Sequence, residues 1–269
     1  MKDFNMRVVT RDLTQFSKVY VIPLGDWHIG DRMSRLDVIQ GYIDWVKARD
    51  NAFIVLGGDL MNCATKDSTP ELYDDLIRPD DAYKIVRTMC EPVKGKILMI
   101  QRGNHEESIY RRSGVDFMDR LAYDLGDIPY KPNGGMCALW LAKSNHNLVF
   151  SLYTTHGWGG ARTMGAKVNK VEELAKGVRA DVVILFHDHT ANIHFGNTQE
   201  LPTGRMTYRR PMYLRRTRLM YVNAGGFVDY GGYIQRKGYA PQDIRTPRIR
   251  MEIKKDGENE WHKDLHGSL

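Results

Sequence analysis

Short apolar runs recur along the chain and predict strands that are buried in a sheet. They lie at residues 19–24, 53–56, 97–100, 148–153, 182–186 and 219–222. Most contain β-branched residues, which is typical of strands that are covered on both faces. A further strand is predicted at residues 248–254, where Ile249, Met251 and Ile253 alternate with charged residues.

Helical patterns separate several of these strands. In residues 34–49, apolar side chains recur at helical spacing, and Ser34 with Asp37 resembles a capping box at the start of that helix. Further amphipathic helices are predicted at residues 79–90, where Pro79 can open the first turn, and at residues 115–125 and 168–178. Strands that alternate with helices predict a layered α/β fold.

The length of the chain and a change of pattern near Gly225 bear on domain organisation. A chain of 269 residues suffices for one large domain with a substantial core. After about residue 225, glycines, tyrosines and prolines interrupt the apolar pattern. We expect a single domain at 1–269, with a core at about 18–225 and a C-terminal extension at about 226–269 that wraps the core irregularly.

Composition adds three weaker expectations. The formal net charge of +6 is mildly basic and suits an anionic partner. The three cysteines, Cys63, Cys90 and Cys137, lack the paired spacing of a thiolate metal site, so we expect buried thiols in a reducing compartment. The sequence opens without a charged and apolar leader, and no apolar run approaches the roughly 18 residues that span a bilayer. We therefore expect a cytoplasmic protein without a membrane partner.

Residues that bind metals directly follow several of the predicted strands. Loops from neighbouring strands converge at the carboxyl ends of such sheets, and ligands gather there. Asp26 and His28 lie two positions apart, so on an extended segment both point to the same side, and His187 repeats this spacing with His189. One such residue alone is more often a hydrogen-bonded turn residue than a ligand. Carboxylate, imidazole and amide groups together suit a pair of divalent ions. The candidate metal ligands are Asp26, His28, Asp59, Asn104, His156, His187 and His189.

In their order along the chain, these residues resemble the motifs of the calcineurin-like metallophosphoesterase superfamily. Those motifs run D-x-H, G-D-x-x-(D/N), G-N-H-(E/D), H and (G)-H-x-H. Here they read Asp26-Trp27-His28, Gly58-Asp59-Leu60-Met61-Asn62, Gly103-Asn104-His105-Glu106, His156 and His187-Asp188-His189. The resemblance covers roughly residues 19–190, and as an ordered set the motifs are specific. It implies a layered α/β/β/α sandwich with mixed sheets.

The resemblance also implies a role for each residue. One metal would be bound by Asp26, His28 and His189, the other by Asn104, His156 and His187, and Asp59 would bridge both. His105 would protonate the leaving alkoxide or stabilise the phosphate oxygens, and Glu106 or Asn62 would orient its ring. Manganese is the metal expected from the resemblance, while iron, zinc and cobalt suit the same ligands.

Two positions depart from the family's pattern. Asn62 stands where many relatives have a carboxylate. This difference affects the expected strength of His105 as an acid and does not affect metal binding. Phe186 stands where Gly usually precedes the H-x-H pair, so we expect a changed loop shape with the ligands retained. Asp188 should point away from the flanking histidines, either to support them or to be solvated. Trp27 and Trp158 adjoin ligand positions and either shape the pocket or pack in the core or at the rim.

A basic stretch at residues 201–228 bears on the substrate. It contains six arginines, interleaved tyrosines and no acidic residue. Guanidinium groups bind phosphate and tyrosines stack on bases, so we expect this stretch to hold a nucleic-acid backbone close to the metals. The alternative is a solvated hairpin face whose arginines pair with acidic residues. The candidate substrate-binding residues are Arg209, Arg210, Arg215 and Arg216.

These expectations favour an enzyme that hydrolyses phosphoesters. The leading hypothesis is a metal-dependent phosphodiesterase, of the nuclease kind, acting on DNA or RNA. A phosphomonoesterase acting on nucleotides or phosphoproteins is the alternative, because the same metal centre serves both substrate classes. A nucleic-acid-binding scaffold that keeps the fold without turnover is the third hypothesis, which the intact ligand set and His105 oppose.

Overall fold

The chain folds into two mixed sheets with helices on their outer faces. The computed structural model describes residues 7–63, 75–200, 214–232, 235, 238, 240–257 and 260–269. The strands are β1 (Val9–Leu13), β2 (Lys18–Leu24), β3 (Ala52–Leu56), β4 (Ile97–Ile100), β5 (Gly135–Lys143), β6 (His146–Thr155), β7 (Val182–Leu185), β8 (Ala191–Glu200), β9 (Arg215–Ala224), β10 (Arg248–Asp256) and β11 (Glu260–Ser268). The helices are α1 (Leu36–Lys47), α2 (Pro79–Cys90), α3 (Asn104–Ser113), α4 (Phe117–Asp124) and α5 (Met164–Gly177), with a 3-10 helix at Glu91–Lys96.

The two sheets pack against each other through their apolar faces. One has the strand order β1-β5-β6-β7-β9-β8 and the other the order β11-β10-β2-β3-β4. A buried cluster between them joins side chains of both sheets, such as Val21 and Val55 from one and Phe150 and Ile184 from the other. Alternate residues of these strands face the second sheet, so the apolar runs fill one continuous core.

Helices cover both outer faces and complete an α/β/β/α arrangement. Ile39 and Ile43 of α1 pack with Leu24 and Leu56 of the five-stranded sheet, and α2 and α4 add to the same cluster. On the other side, Val171 of α5 packs on β7. The fold class expected from the sequence is confirmed. Within the described ranges, the chain has no helix that is long and apolar enough to cross a membrane.

Most predicted elements are present, and one predicted cap is wrong. Each of the apolar runs lies in or overlaps an observed strand, and the predicted helices correspond to α1, α2, α4 and α5. Ser34 does not cap α1: its hydroxyl donates to the Trp27 carbonyl at 2.7 Å, and Arg35 is the N-cap residue without a side-chain cap bond. The sequence analysis did not predict α3 or the strands β1, β5, β8 and β11.

The segment after residue 225 is more regular than expected. The predicted strand at 248–254 is confirmed as β10, which pairs antiparallel with β2 through Ile249 and Val21 and with β11 on its other side. Ile249, Met251 and Ile253 of β10 are buried between the sheets. The irregular wrap expected for the rest of the segment is wrong for β11, which pairs with β10 and buries Leu265 in the central core.

Parallel pairing places the candidate residues at one edge of the sandwich. β2, β3 and β4 are mutually parallel, and so are β6, β7 and β9. The carboxyl ends of three neighbouring strands therefore meet in each sheet. Hydrogen bonds join the two sets of ends, since the Asp26 carboxylate accepts from the His187 N–H at 3.0 Å.

Candidate metal centre

Each candidate ligand is placed by the end of a strand or the start of a helix. Asp26 and His28 follow β2, Asp59 follows β3, Asn104 opens α3 just after β4, His156 follows β6, and His187 and His189 follow β7. Because these strand ends lie at the same edge, residues far apart in the chain come together. His105 belongs to the first turn of α3, beside Asn104.

The structure brings the seven side chains into one cluster. Ligand atoms of Asp26, His28 and His189 lie within 4.8 Å of one another, and so do those of Asp59, His156 and His187. The amide oxygen of Asn104 lies 2.8 Å from His187 Nδ1 and 3.1 Å from His156 Nε2. A third group joins His28, Asp59 and His105 within the same limit. These groupings can hold metal ions, and the carboxylate of Asp59 belongs to two of them.

The backbone at this edge is in an unusual conformation. A positive φ is rare outside glycine and costs of order 1 to 3 kcal/mol per residue, so it persists only where the surroundings enforce it. The candidate ligands with positive φ are Asp26 (52°), His28 (48°), Asp59 (49°), His187 (74°) and His189 (51°). Concentration of strained residues in one cluster is typical of a functional site.

Hydrogen bonds orient the imidazole rings toward the cluster. His156 Nδ1 lies 2.8 Å from the Gly57 carbonyl oxygen. His187 Nε2 lies 2.5 Å from the Gly159 carbonyl oxygen, and His28 Nδ1 lies 3.3 Å from the Asn62 amide oxygen. An N–H that donates to each oxygen leaves the other ring nitrogen facing the cluster, where its lone pair can bind a metal when that nitrogen carries no proton. This is how metal-binding histidines are held in proteins.

The donor set fits the divalent metals that the sequence implies. Asp26 is fully buried, and its Oδ1 atom accepts no hydrogen bond from the described part of the chain. A buried carboxylate oxygen without a partner is costly unless a cation or another donor satisfies it. Oxygen and imidazole donors without sulfur suit manganese, iron, cobalt and zinc.

Burial and neighbouring histidines shift the pKa values of the two buried carboxylates in opposite directions. Burial raises the pKa of Asp26 to about 8. Burial also acts to raise the pKa of Asp59, but the positive field of His156 and His105 outweighs it and holds that pKa well below its usual value. Asp59 is therefore the permanent negative charge of the cluster, while Asp26 becomes fully ionised only when positive charge is placed beside it.

The histidines differ in the same way. Burial lowers the pKa of His28 well below its usual value and that of His189 to about 3, so both rings are neutral near pH 7. Burial also acts to lower the pKa of His156, but Asp59, 3.2 Å away, outweighs it and raises the pKa to about 10. His156 therefore carries a proton in the metal-free protein, which it must release to become a ligand.

His105 is held by the main chain beside the cluster. Its Nδ1 atom forms a short hydrogen bond with the Asn62 carbonyl oxygen, and its backbone N–H donates to Asp59 Oδ1 at 2.8 Å. The ring is thus oriented by the backbone of Asn62 and not by Glu106. The side-chain amide of Asn62 is used elsewhere, because it contacts His28 and donates to Asp75 at 2.5 Å.

Glu106 holds two of the motifs together. Its buried carboxylate accepts from the N–H groups of Asp59 at 2.9 Å, Met61 at 3.0 Å and Gly103 at 3.0 Å. Asp59 and Met61 belong to the loop after β3, and Gly103 to the loop after β4. Glu106 therefore fixes the relative position of these loops, a role that the sequence analysis did not assign to it.

Phe186 packs against the strand ends that carry the ligands, and His187 keeps its place in the cluster. Its side chain is buried and lies over Gly25 and Gly57 at the ends of β2 and β3. A Cβ atom on Gly25 or Gly57 would come within 2.6 or 2.3 Å of the Phe186 ring. The two glycines thus make room for the large residue that stands at the family's usual glycine position.

Three residues near the ligands had two possible roles. Trp27 is fully buried and packs in the core, while Trp158 is 54 % exposed after His156. Asp188 is buried, and its carboxylate lies 2.6 Å from Lys170 Nζ. The solvated alternative for Asp188 is therefore wrong.

The structure describes the backbone of two of the four candidate substrate-binding arginines, and both lie away from the cluster. Arg209 and Arg210 lie outside the described residues. Arg215 and Arg216 begin β9, whereas the end of that strand at Ala224 is next to the cluster. The eight residue-to-residue steps from Arg216 to Ala224 span about 26 Å at the usual rise of a strand. The expectation that this stretch lies close to the metals is wrong for Arg215 and Arg216, because the hairpin of β8 and β9 extends away from that edge.

The cluster opens into a cavity of about 120 Å³. Asp59, His105, His187 and His189 line its floor, as does the buried Lys167. The segment after residue 225 supplies much of the wall, where the sequence analysis had identified no site residue. The lining residues from that segment are Gly226, Val228, Tyr230, Ala240, Gln242 and Asp243.

Comparison with known proteins defines the class to which this site belongs. The sequence profile of the calcineurin-like phosphoesterases matches residues 20–199, which is more than half of the chain. The chain therefore belongs to the calcineurin-like phosphoesterase family, and that membership implies that it binds divalent metal ions. No curated protein matches the chain.

Several solved structures are similar to the chain at low sequence identity. Vps29 from Chaetomium thermophilum is 13% identical, with 93% of this chain and 95% of that chain covered and a TM-score of 0.37. Vacuolar protein sorting 29 from Cryptosporidium parvum is 12% identical, with 93% and 99% covered and a TM-score of 0.40. A conserved uncharacterised protein, a predicted phosphoesterase from Streptococcus pneumoniae, is 13% identical, with 92% and 88% covered and a TM-score of 0.35. Likenesses at this level carry no functional argument.

Proposed function

We propose that the protein is a metal-dependent phosphodiesterase that hydrolyses nucleic acid at a dinuclear centre. The observation that carries this proposal is the convergence of seven ligand-type side chains around Asp59, with His105 beside them. In the proposed arrangement, one metal is bound by Asp26, His28 and His189, the other by Asn104, His156 and His187, and Asp59 bridges both. Two divalent ions there would attract a phosphate group and supply hydroxide near neutral pH. Manganese is the proposed metal from the family resemblance, and iron, zinc and cobalt suit the same donors.

The surroundings of the cluster support a phosphate substrate. α3 begins at Asn104, so the positive end of its dipole is directed at the site. Lys167 lies in the wall of the cavity. His105 is fixed through Nδ1 to the Asn62 carbonyl, which leaves Nε2 available to a substrate oxygen. We assign to His105 the donation of a proton or a hydrogen bond to the leaving oxygen.

Two further features support a large anionic substrate. The chain has a net charge of +6, and the exposed Arg216 lies on β9 within the basic stretch. Because Arg216 is far from the cluster along its strand, it would contact a nucleic acid away from the cleaved bond. The three free cysteines are buried, which is in keeping with the proposed cytoplasmic location.

A substrate panel with one catalytic variant tests the proposal. Wild type, His105→Ala and the control His266→Ala are assayed with manganese on single- and double-stranded DNA, RNA, an aryl phosphodiester and an aryl phosphomonoester. His266 is exposed on β11 and serves as the matched control. We expect diester cleavage by wild type and His266→Ala, and a loss of roughly 10²- to 10⁴-fold in His105→Ala.

Two results would contradict the proposal in different ways. Cleavage of the monoester alone would replace the phosphodiesterase by a phosphomonoesterase acting on nucleotides or phosphoproteins. Equal and negligible rates in all three proteins, with the metals bound, would favour a scaffold that has kept the fold without turnover.

A further inference from the structure

The turn from His187 to His189 needs support from outside itself. Both histidines have a positive φ, 74° and 51° respectively. Asp188 lies between them, and in the proposed centre the two histidines bind different metals. A turn with two strained residues relaxes unless neighbouring groups hold it, and relaxation would displace a ligand of each ion.

Two lysines of α5 contact this turn. Lys167 Nζ donates to the Asp188 carbonyl oxygen at 2.8 Å and to the Thr190 hydroxyl at 2.5 Å. Lys170 Nζ donates to the Asp188 carboxylate at 2.6 Å. The two lysines are three positions apart on α5, so they lie on the same face of the helix. Together they bind both the backbone and the side chain of Asp188.

Lys170 also reaches the loop that follows His156. Its Nζ atom donates to the Trp158 carbonyl oxygen at 2.8 Å. The next residue, Gly159, accepts a hydrogen bond from the ring of His187. One ammonium group therefore connects the loop after β6 with the turn after β7, and these two segments carry three of the seven candidate ligands.

The burial of these lysines calls for a specific reason. Ammonium groups close to a cation site repel metal ions, and burial adds a desolvation cost. Lys167 is buried, and the side chain of Lys170 is 13 % exposed. The buried carboxylate of Asp188 offsets one of the two charges. A buried ion pair contributes little net stability but is costly to break, so it enforces one geometry.

The geometry points to Lys167 and Lys170 as positioning residues for the metal centre, acting through Asp188. We call these three residues the lysine clamp. The clamp holds His187 and His189 in their strained conformation and fixes the loop after His156. This inference rests on the proposed function, because it requires metals at the cluster.

Metal binding by clamp variants tests the inference. The full-length protein is stripped with a chelator and titrated with manganese, and bound metal is measured by equilibrium dialysis. The exchange-coupled electron paramagnetic resonance signal of a manganese pair is recorded in parallel. The main variants are Lys170→Met and Lys167→Met. Lys176→Met is the matched control, because Lys176 is on the same helix but is exposed and pairs with the exposed Glu173.

We expect wild type and Lys176→Met to bind two ions and to show the coupled signal. Lys170→Met should bind manganese roughly 10- to 100-fold more weakly and lose much of the coupled signal. Lys170→Arg should restore part of the affinity, since a guanidinium can still donate to the Asp188 carboxylate. The double variant Asp188→Asn with Lys170→Met should bind manganese as tightly as the single variant that has the lower affinity, because both changes break the same contact.

The outcomes separate failure of the clamp from failure of the proposed function. If wild type binds two ions and Lys170→Met binds them equally well, the clamp is wrong and the metal centre stands. If wild type binds no manganese, zinc, iron or cobalt, the proposed function is wrong, and the clamp with it. Should metal-free Lys170→Met fail to fold, Asp188→Asn decides the question, because it keeps the side chain's shape and removes its charge. Unchanged affinity in Asp188→Asn would overturn the clamp.

Discussion

The Nε2 atom of His28 lies 3.2 Å from the Nε2 atom of His189, although the two residues are 161 positions apart in the chain. His28 follows β2 in one sheet, and His189 follows β7 in the other. Burial keeps both rings neutral near pH 7. At this edge the two sheets thus meet through two neutral imidazole rings, and such rings bind a cation more strongly than they bind each other.

We therefore expect divalent cations to stabilise the folded protein. Ions that bind only the folded state add about 2.7 kcal/mol to the free energy of unfolding at roughly a hundredfold excess over Kd. Thermal unfolding with manganese and with a chelator measures the effect. His28→Ala should lose most of the gain, and His266→Ala should keep it. The prediction is wrong if the wild-type melting temperature is the same with manganese as with the chelator.

A second prediction concerns Glu106. Glu106→Gln replaces one carboxylate oxygen by an NH2 group that faces N–H donors, so at least one of the three hydrogen bonds is lost. We expect a loss of about 2 kcal/mol in the free energy of unfolding and weaker manganese binding. Urea unfolding of the metal-free protein measures the first effect. Glu91→Gln, at an exposed residue that pairs with Lys94, should change stability by less than about 0.5 kcal/mol. Equal stability of Glu106→Gln and wild type would show that the carboxylate does not hold the two loops.

A third prediction concerns the pH dependence of stability at the β10–β11 pair. Burial acts to raise the pKa of Asp264, but Lys254 and Arg250, at 2.8 and 3.1 Å, outweigh it and lower the pKa. A carboxylate whose folded pKa is lowered contributes stability above its unfolded pKa of about 4 and loses it as the pH falls through the folded value. Asp264→Asn should therefore cost about 1 kcal/mol at pH 7.

The difference between wild type and Asp264→Asn should stay constant from about pH 8 to pH 5 and shrink below about pH 4. Urea unfolding at several pH values measures it. Asp256→Asn is the control, because that side chain is 78% exposed. A difference that grows on acidification would contradict the assigned direction of the pKa shift.

A fourth prediction follows from the distance between Arg216 and the cluster. Arg216→Ala should leave the rate on a small aryl diester unchanged. If nucleic acid is the substrate, the variant should have a higher KM for it. The slope of log KM against log salt concentration should fall by about one, because one phosphate contact is lost. Kinetics on both substrates across a salt series measure this. A large loss of kcat on the small diester would place Arg216 in the site, against the observed strand geometry.

Much of the fold could be predicted from local pattern, and the missing parts share a cause. β2, β3, β4 and β7 are covered on both faces, so they consist of apolar residues and stand out in the sequence. β8 and β11 are polar on one side and contain charged residues, which makes them hard to distinguish from loops. α3 is polar along most of its length, and its position depends on Glu106 and on the ion pairs of Arg102 with Glu107 and Asp116.

The seven candidate ligands could be named from the sequence because the spacing of D-x-H and H-x-H is local and the motifs have a fixed order. The groups that hold these ligands in position could not be predicted from the sequence. The lysine clamp joins α5 to a turn some twenty residues later in the sequence, and the Asn62 carbonyl that orients His105 is a backbone group, which every residue has. Such contacts depend on tertiary structure and leave no pattern along the chain. The positions of Arg215 and Arg216 could not be predicted for a related reason, since composition does not reveal which end of a strand faces the site.

The pairing of β10 with β2 has a consequence for how the protein is made. Ile249 lies opposite Val21, so a ribosome makes β2 long before that partner of β2 exists. Until then, β2 has an open edge, next to the residues that lead into Asp26 and His28. Long-range pairing of this kind slows folding, and exposed strand edges promote aggregation. Nascent chains that stall before residue 248 should therefore depend on chaperones.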